Sequence, residues 1–452
     1  MGQRSLVPES DNQRQWSSYT PSCFSDDVCL YIMSFMEFNN IKTCFLVCKQ
    51  WNFNATTIPI SLSYQHCNEL ENRLKLMSKC KQWNITSLDL SSNSIKKTNM
   101  IEKIANSDYS SHLTKLNLDN NESLGDGAFL VIAKSPKLHN LQVLSATRCS
   151  ITDMGVKALA RSANMSNLRE LCLYGNYISH QGVRALCTSS FMSQLQVLDI
   201  GKSIIGQESV ELLSKGNFTE LRLSCCYVEN VGAISIGKSP QMRNLRVLDL
   251  ESNSIGQVGA LALVGSEYIQ TKVTSLNFSK NSLGKSGAMT IAENMSNLTY
   301  LSLDETKIQE KGAISIVTSS NMRNLTILSM RNNSLGTEFA SKLSSSHYLT
   351  QLKELNLHSN MLGDAGVTSI ASSEHLKNLI KLDLGLNKVG DDGAYSIASS
   401  SYMSNLTELE LSCNDFTDSG EVALKQSKYF QKTSIRTFGC KKLSSYLPPL
   451  SH

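Results

Sequence analysis

Hydrophobic positions in this chain recur in a long period made of a strand-like part and a helix-like part. The segment Leu168-Arg-Glu-Leu171-Cys-Leu173-Tyr-Gly-Asn176-Tyr-Ile178 gives the pattern L-x-x-L-x-L-x-x-N-x-I, which returns at Leu245–Ile255, Leu352–Leu362, Leu379–Val389 and Leu406–Phe416. Eight weaker copies begin at Ile85, Leu113, Leu141, Leu195, Phe218, Val273, Leu298 and Leu325. The thirteen starting points are separated by 28, 28, 27, 27, 23, 27, 28, 25, 27, 27, 27 and 27 residues. Alternation such as Leu171-Cys-Leu173 predicts a short strand in each unit. One such strand cannot bury its leucines alone, whereas strands stacked in parallel bury them as a continuous column. Asn176, Asn253, Asn281, Asn333, Asn360, Asn387 and Asn414 follow the strands, where an amide can satisfy backbone groups in a buried bend. Cys149 and Cys226 occupy the same place and read as ladder thiols, since no His or Cys partner stands at a metal-binding spacing.

Six residues beyond the ladder position a glycine usually opens the return segment. Gly232-Ala-Ile-Ser-Ile236, Gly312-Ala-Ile-Ser-Ile316 and Gly393-Ala-Tyr-Ser-Ile397 then place Ala and Ile three apart, predicting a short helix that packs its small face on the strands. The units of 23 residues from Leu195 and 25 from Val273 lose length between helix and next strand. Trp83 and the stretch Ile435 to Phe438 are expected to close the two ends.

This pattern resembles the leucine-rich repeat of the ribonuclease-inhibitor-like class. The resemblance implies an α/β solenoid over residues 85–432, with a curved parallel β-sheet on the concave side and short helices on the convex side. Residues 61–84 are expected to form a linker and N-terminal cap, and residues 433–452 a C-terminal cap and tail.

Residues 21–60 have another character, that of a small all-α module preceded by a disordered segment over 1–20. Val28, Tyr31, Ile32, Phe35 and Met36 follow Ser25-Asp26-Asp27 at helical spacing, and Ile41, Cys44, Phe45 and Cys48 repeat it. About thirty residues cannot bury all these groups alone. Leu46-Val47-Cys48-Lys49-Gln50-Trp51 resembles the L-V-C-[KR]-x-W element of the F-box; Ile32-Met33 and Met36 fit its middle, and Asp27-Val28 its acidic-apolar start. Phe24-Ser25 stands where that family has Leu-Pro. An F-box followed by leucine-rich repeats is similar to the substrate receptors of SCF-type (cullin-RING) ubiquitin ligases. The resemblance implies that Phe24, Val28, Ile32, Met33, Met36, Phe45, Leu46 and Trp51 anchor the adaptor subunit, and through it a cullin, while the repeats hold a protein substrate. The bare spacing equally describes the core of a small helical cap.

Charge and cysteine content narrow the setting. The 43 Lys+Arg and 39 Asp+Glu of the 452 residues leave a net charge of +4, too dilute to attract nucleic acid or an anionic membrane. The longest apolar stretch, Val28 to Met36, is far short of the ~18 residues of a membrane span. The start, Met1 to Leu6, lacks the apolar core of a signal peptide, and 13 scattered cysteines fit free thiols, so a cytoplasmic or nuclear location is expected, with a monomer outside the ligase complex. The sequons at Asn297, Asn324 and Asn405 then read as repeat-imposed Asn-Leu-Thr. No nucleophile turn, phosphate loop or metal-spaced pair emerges, so neither catalytic residues nor cofactors are expected.

Residues between the leucines should face the concave surface. Twelve of these are acidic: Asp89, Asp119, Glu170, Asp199, Glu220, Asp249, Glu251, Asp304, Glu354, Asp383, Glu408 and Glu410. Four are basic: Lys115, Arg222, Arg331 and Lys381. Such a face favours a basic partner segment, with Tyr174, Tyr300 and His358 as the aromatic contacts. The expected substrate-binding residues are therefore Glu170, Tyr174, Asp199, Glu220, Asp249, Glu251, Tyr300, Asp304, Glu354, His358, Asp383 and Glu410. Short polar residues on a solvated strand surface give the same composition without any partner. A plain scaffold or inhibitor, or a Ran-type GTPase activator lacking its usual acidic tail, are the other readings.

Overall fold

A computed structural model describes residues 60–67, 70–77, 83–96 and 98–439. The F-box-like positions Phe24 to Trp51 lie outside the described residues, as do residues 1–20 and 440–452.

Among the described residues fifteen strands, from β1 (Ile60–Ser63) to β15 (Ser434–Arg436), form one parallel sheet whose strand order follows the chain. The thirteen expected strands are all present, and the sheet continues by one strand at each end. Residues placed in the linker, with Ile60 from the end of the expected helical module, supply β1, whose Leu62 pairs with Leu88, and linker residues supply a helix at Leu70–Met77. Trp83 on the following connection is buried. At the far end Ile435 pairs with Leu409, while Phe438, expected to help close the end, is 83 % exposed. Leu88, Leu116, Leu144, Leu171 and Leu198 stand in register, and the column runs on to Leu409. Burying each such side chain contributes about 1.5–3 kcal/mol.

Helices return behind the sheet, and a one-turn segment such as Ser190–Met192 or Ser320–Met322 links many of them to the next strand. The short units at Leu195 and Val273 omit that turn, in accord with their missing residues. The repeat glycine, expected to precede the helix, is instead its third residue in Asp153–Ala160 and His180–Thr188. The helix starts earlier because the Thr152 and Ser179 hydroxyls cap it by accepting from the Met154 and Gln181 N–H groups, and a side chain from the preceding unit adds a second acceptor. Asp153 accepts 2.9 Å hydrogen bonds from the N–H groups of both Ser179 and Gly182. Asp126, Asn230, Asp364 and Asp391 do the same one unit further on. A Cβ on Gly182 would lie 2.6 Å from Asp153 Oδ1, so the cap requires glycine there. The hydroxyl of Thr417, with further hydrogen bonds from the Thr417 and Gly420 N–H groups, holds the Asp391 carboxyl below the usual carboxylate range. The stability it lends is present above the unfolded carboxylate pKa and is lost as pH falls through the lowered value. Asp153→Ala is expected to cost about 1–2 kcal/mol in denaturant unfolding, with Asp153→Asn avoiding most of that loss, since Asn230 makes the same cap. Equal losses for the two variants would deny the capping role.

Two further ladders tie unit to unit. Serines ahead of the linking turns donate to the last carbonyls of the preceding helix, as Ser239 does to Ser214 and Ser400 to Ala371. The sequon asparagines do likewise: Asn297 Nδ2 donates to Thr271 and Asn405 Nδ2 to Lys377. Their side chains have a structural partner, which is why the repeat carries Asn-Leu-Thr.

Candidate functional site

Strand alternation divides each unit between two surfaces. The leucine column points into the core, and the residues on either side of it form three parallel columns on the concave face. Glu170, Glu220, Tyr300 and Glu354 occupy the first column, Asp199, Asp249, Asp383 and Glu410 the second, and Tyr174, Glu251, Asp304 and His358 the third. All twelve are half-buried, so each keeps a solvent-facing edge.

The bend beyond these strands is held by the asparagine ladder. Asn253, 1 % exposed, donates to the carbonyls of Leu223 and Glu251, and its Oδ1 accepts from the N–H groups of Cys226 and Val228. The two ladder cysteines replace the donor half of this arrangement. Cys149 Sγ donates to Leu118 at 3.0 Å, and Cys226 Sγ to Ile200 at 3.2 Å. Burial pushes both thiols up to about 12, and that of Cys172 on the concave face to about 11, so at neutral pH they are protonated and unsuited to nucleophilic work. Ser203 and Thr306, which carry no Asn or Cys signature, fill two further rungs. Thr306 Oγ1 donates to Leu303, whereas Ser203 Oγ has no hydrogen-bond partner among the described residues.

The structure neutralises part of the acidic array. Arg222 reaches Glu220 at 2.7 Å, Lys280 reaches Glu251 at 2.6 Å, and Lys381 lies between Glu354 and Glu408 at 3.8 and 3.4 Å. Asp199, Asp249, Asp304 and Asp383 are all raised above the ordinary carboxylate range, first of all by burial. Their remaining charge is concentrated in a poorly hydrated trough, where it acts strongly on an incoming cation.

Five expected residues, Tyr300, Asp304, Glu354, Asp383 and Glu410, line one pocket of about 390 Å³. Arg436 joins them from β15. The sequence reading missed it because β15 was assigned to the tail. Tyr174, Glu170, Asp199, Glu220, Asp249 and Glu251 lie outside this pocket, on the earlier strands. Two aromatic positions share a construction. The Tyr174 ring lies on Gly201, where a Cβ would sit 2.7 Å from its Cδ2, and the His358 ring lies on Gly385 at the same 2.7 Å. Lys202 covers the other part of the tyrosine, its Nζ 5.3 Å from the ring centre. Among the described residues no group of three His, Cys, Asp or Glu side chains is placed to hold a metal, and no helix is long and apolar enough to cross a membrane.

The sequence pattern of the leucine-rich-repeat family matches residues 109–129, 241–264, 270–292, 348–371, 375–398 and 402–425. No curated protein sequence matches the chain. Among solved structures, the yeast Rad7–Elc1 complex contains a similar chain, with a TM-score of 0.54 and 17 % identity over 90 % of this chain and 96 % of that one. A leucine-rich-repeat protein of Leptospira interrogans aligns with a TM-score of 0.45 and 18 % identity over 86 % of this chain and 98 % of its own. The chain thus carries leucine-rich repeats, and its fold is the leucine-rich-repeat solenoid.

Proposed function

We propose that this protein is the substrate-recognition subunit of an SCF-type ubiquitin ligase, holding a basic protein segment on its concave face and docking on the adaptor through residues 21–60. The observation that carries the substrate half is the trough of half-buried carboxylates, Asp199, Asp249, Asp304 and Asp383, none of them in an ion pair among the described residues. A continuous parallel sheet offers such groups to an extended partner without moving, so little ordering cost is added on binding. The adaptor half is supported by Leu46-Val47-Cys48-Lys49-Gln50-Trp51 and by the order of the two modules. In yeast, a chain of similar fold is part of a two-protein complex, Rad7 with Elc1, which fits a solenoid serving as a scaffold.

Co-expression with the SCF adaptor tests the reading. The intact chain is expected to co-purify with the adaptor, and both Leu46→Asp/Trp51→Asp and a chain starting at Thr57 are expected to lose it. Starting at Thr57 keeps β1 whole, so loss of the complex would not reflect a damaged sheet. Failure of the intact, folded chain to bind would leave a protein-binding solenoid outside the ligase.

A further inference from the structure

At the rim where the chain enters its strands, at the end away from the ladder, the solenoid carries charge of one sign. From the unit that opens at Leu245 to the one that opens at Leu379, consider the two residues before the opening apolar side chain and the one after it. These positions hold Arg243, Arg246, Lys272, Arg323, Lys353 and Lys377, and no Asp or Glu occupies any of them in the six units. All six cations are exposed, and none is in an ion pair among the described residues. The whole chain is only +4, so this edge concentrates positive charge beside an acidic concave face.

The same edge contains a groove of about 560 Å³, lined by Arg246 and Lys272 together with threonines and amides of the next units, and by no acidic residue. Its polar groups are short of donors. The hydroxyls of Thr274, Thr299 and Thr326 donate to the carbonyls of Arg246, Thr274 and Thr299. Asn297 and Asn324 commit Nδ2 to the carbonyls of Thr271 and Ser296. Between the cations a ligand therefore meets side-chain oxygens that can accept. A ligand that satisfies the groove must bring anions for the cations and hydrogen-bond donors for the oxygens. A DNA backbone supplies only the first, whereas an acidic peptide carries carboxylates and backbone N–H groups together. The backbone fixes the length. Thr274 donates to Arg246, Thr299 to Thr274, Thr326 to Thr299 and Lys353 to Thr326, at 2.8–2.9 Å. These five positions are thus neighbours in one ladder, about 19 Å from end to end at ~4.8 Å per strand, which about six residues of extended chain would cover. We propose that this rim binds an acidic, extended segment of a partner protein, its carboxylates on Arg246, Lys272, Arg323 and Lys353 and its backbone N–H groups on the oxygens between them. The site is separate from the concave trough and does not rest on the ligase reading.

The probe is a fluorescein-labelled, glutamate-rich peptide of about ten residues, with a glutamine-for-glutamate copy as its control. Titrated with the full-length protein at low ionic strength, the acidic peptide is expected to reach saturable anisotropy and the glutamine copy is not. Arg246→Glu/Lys272→Glu and Arg323→Glu/Lys353→Glu should each weaken binding about tenfold or more. Arg148→Glu/Lys202→Glu, on the rim at the other end of the strands, makes the same change in net charge and should leave binding nearly unchanged. All six side chains are exposed, so circular dichroism should show an unaltered fold. Methylating the peptide's backbone nitrogens keeps its charge and should also weaken binding. Equal losses from reversals on the two rims, indifference to backbone methylation, or no saturable binding would each overturn the proposal. So would a fluorescein-labelled oligothymidylate that binds more tightly than the peptide and is lost in Arg246→Glu/Lys272→Glu, since the occupant would then be nucleic acid.

Discussion

Asn253→Ala is expected to lower stability by about 3–5 kcal/mol, one of the largest single-residue losses available in this chain. The side chain is 1 % exposed and serves four backbone groups: the carbonyls of Leu223 and Glu251 and the N–H groups of Cys226 and Val228. Alanine leaves these groups without that partner, and each unpaired group away from water costs about 1–3 kcal/mol before relaxation. The loss falls at one junction, and each unit touches mainly its neighbours, so the array on either side loses its coupling there. The denaturant transition of the variant is accordingly expected to broaden or divide in two. Ser203→Ala provides the comparison at another rung. Its hydroxyl is buried without a partner, so removal should change stability by less than about 0.5 kcal/mol. Similar costs for the two variants would mean that the ladder hydrogen bonds do not govern stability.

The idle hydroxyl of Ser203 also marks the limit of what the pattern reveals. The leucine column and the Asn and Cys rungs were legible because a side-chain period of two and a fixed unit length repeat the same environment in every turn. Rungs at Ser203 and Thr306 were not, because serine and threonine are common everywhere in the sequence. The additional first strand left a trace that was overlooked. Cys67 stands five residues after Leu62, as Asn93 does after Leu88, and its N–H donates to Asn93 Oδ1. Cys440 stands at the same distance from Ile435, just outside the described residues. The helices start two residues ahead of the glycine because Thr152 and Ser179 cap them locally, hydroxyls that serine and threonine offer all along this sequence, while the second acceptor comes from the preceding unit, some 26 positions away.

The concave columns were readable from alternation, yet their net electrostatic character was not. Glu251 meets Lys280 across 29 residues, and Lys381 is shared by Glu354 and Glu408 from the units on either side. Counting acids against bases along the chain treats these as free charges. Stacking pairs them, and leaves Asp89, Asp119, Glu170 and Glu410 with the four aspartates Asp199, Asp249, Asp304 and Asp383 outside any ion pair among the described residues.

Converting Asp199, Asp249 and Asp383 together to asparagine separates the two explanations for those acids. Each Oδ1 accepts a 3.0 Å hydrogen bond from the N–H two residues on, at Gly201, Glu251 and Gly385. Asn117, Asn277 and Asn356 perform the same task in the same column, so an amide reproduces the local geometry and removes only the charge. All three carboxyls are raised by burial, which means the folded state holds their protons more tightly than the unfolded chain. Their contribution to stability is full below the unfolded pKa and lost as pH rises through the folded one. At neutral pH they are therefore a cost, and the triple variant should be as stable as the parent or more so, the gain fading below about pH 4. Binding should move the other way. A Lys/Arg-rich fluorescent peptide is expected to bind the variant about ten- to a hundredfold more weakly at low ionic strength, with the gap closing as the Debye length shrinks to ~3 Å near 1 M salt. Loss of stability with unchanged binding would assign these residues to the fold. Gain of stability with lost binding would mean that charge was retained here against the interest of folding, and a trough that gives up stability for charge is one built to meet a basic partner.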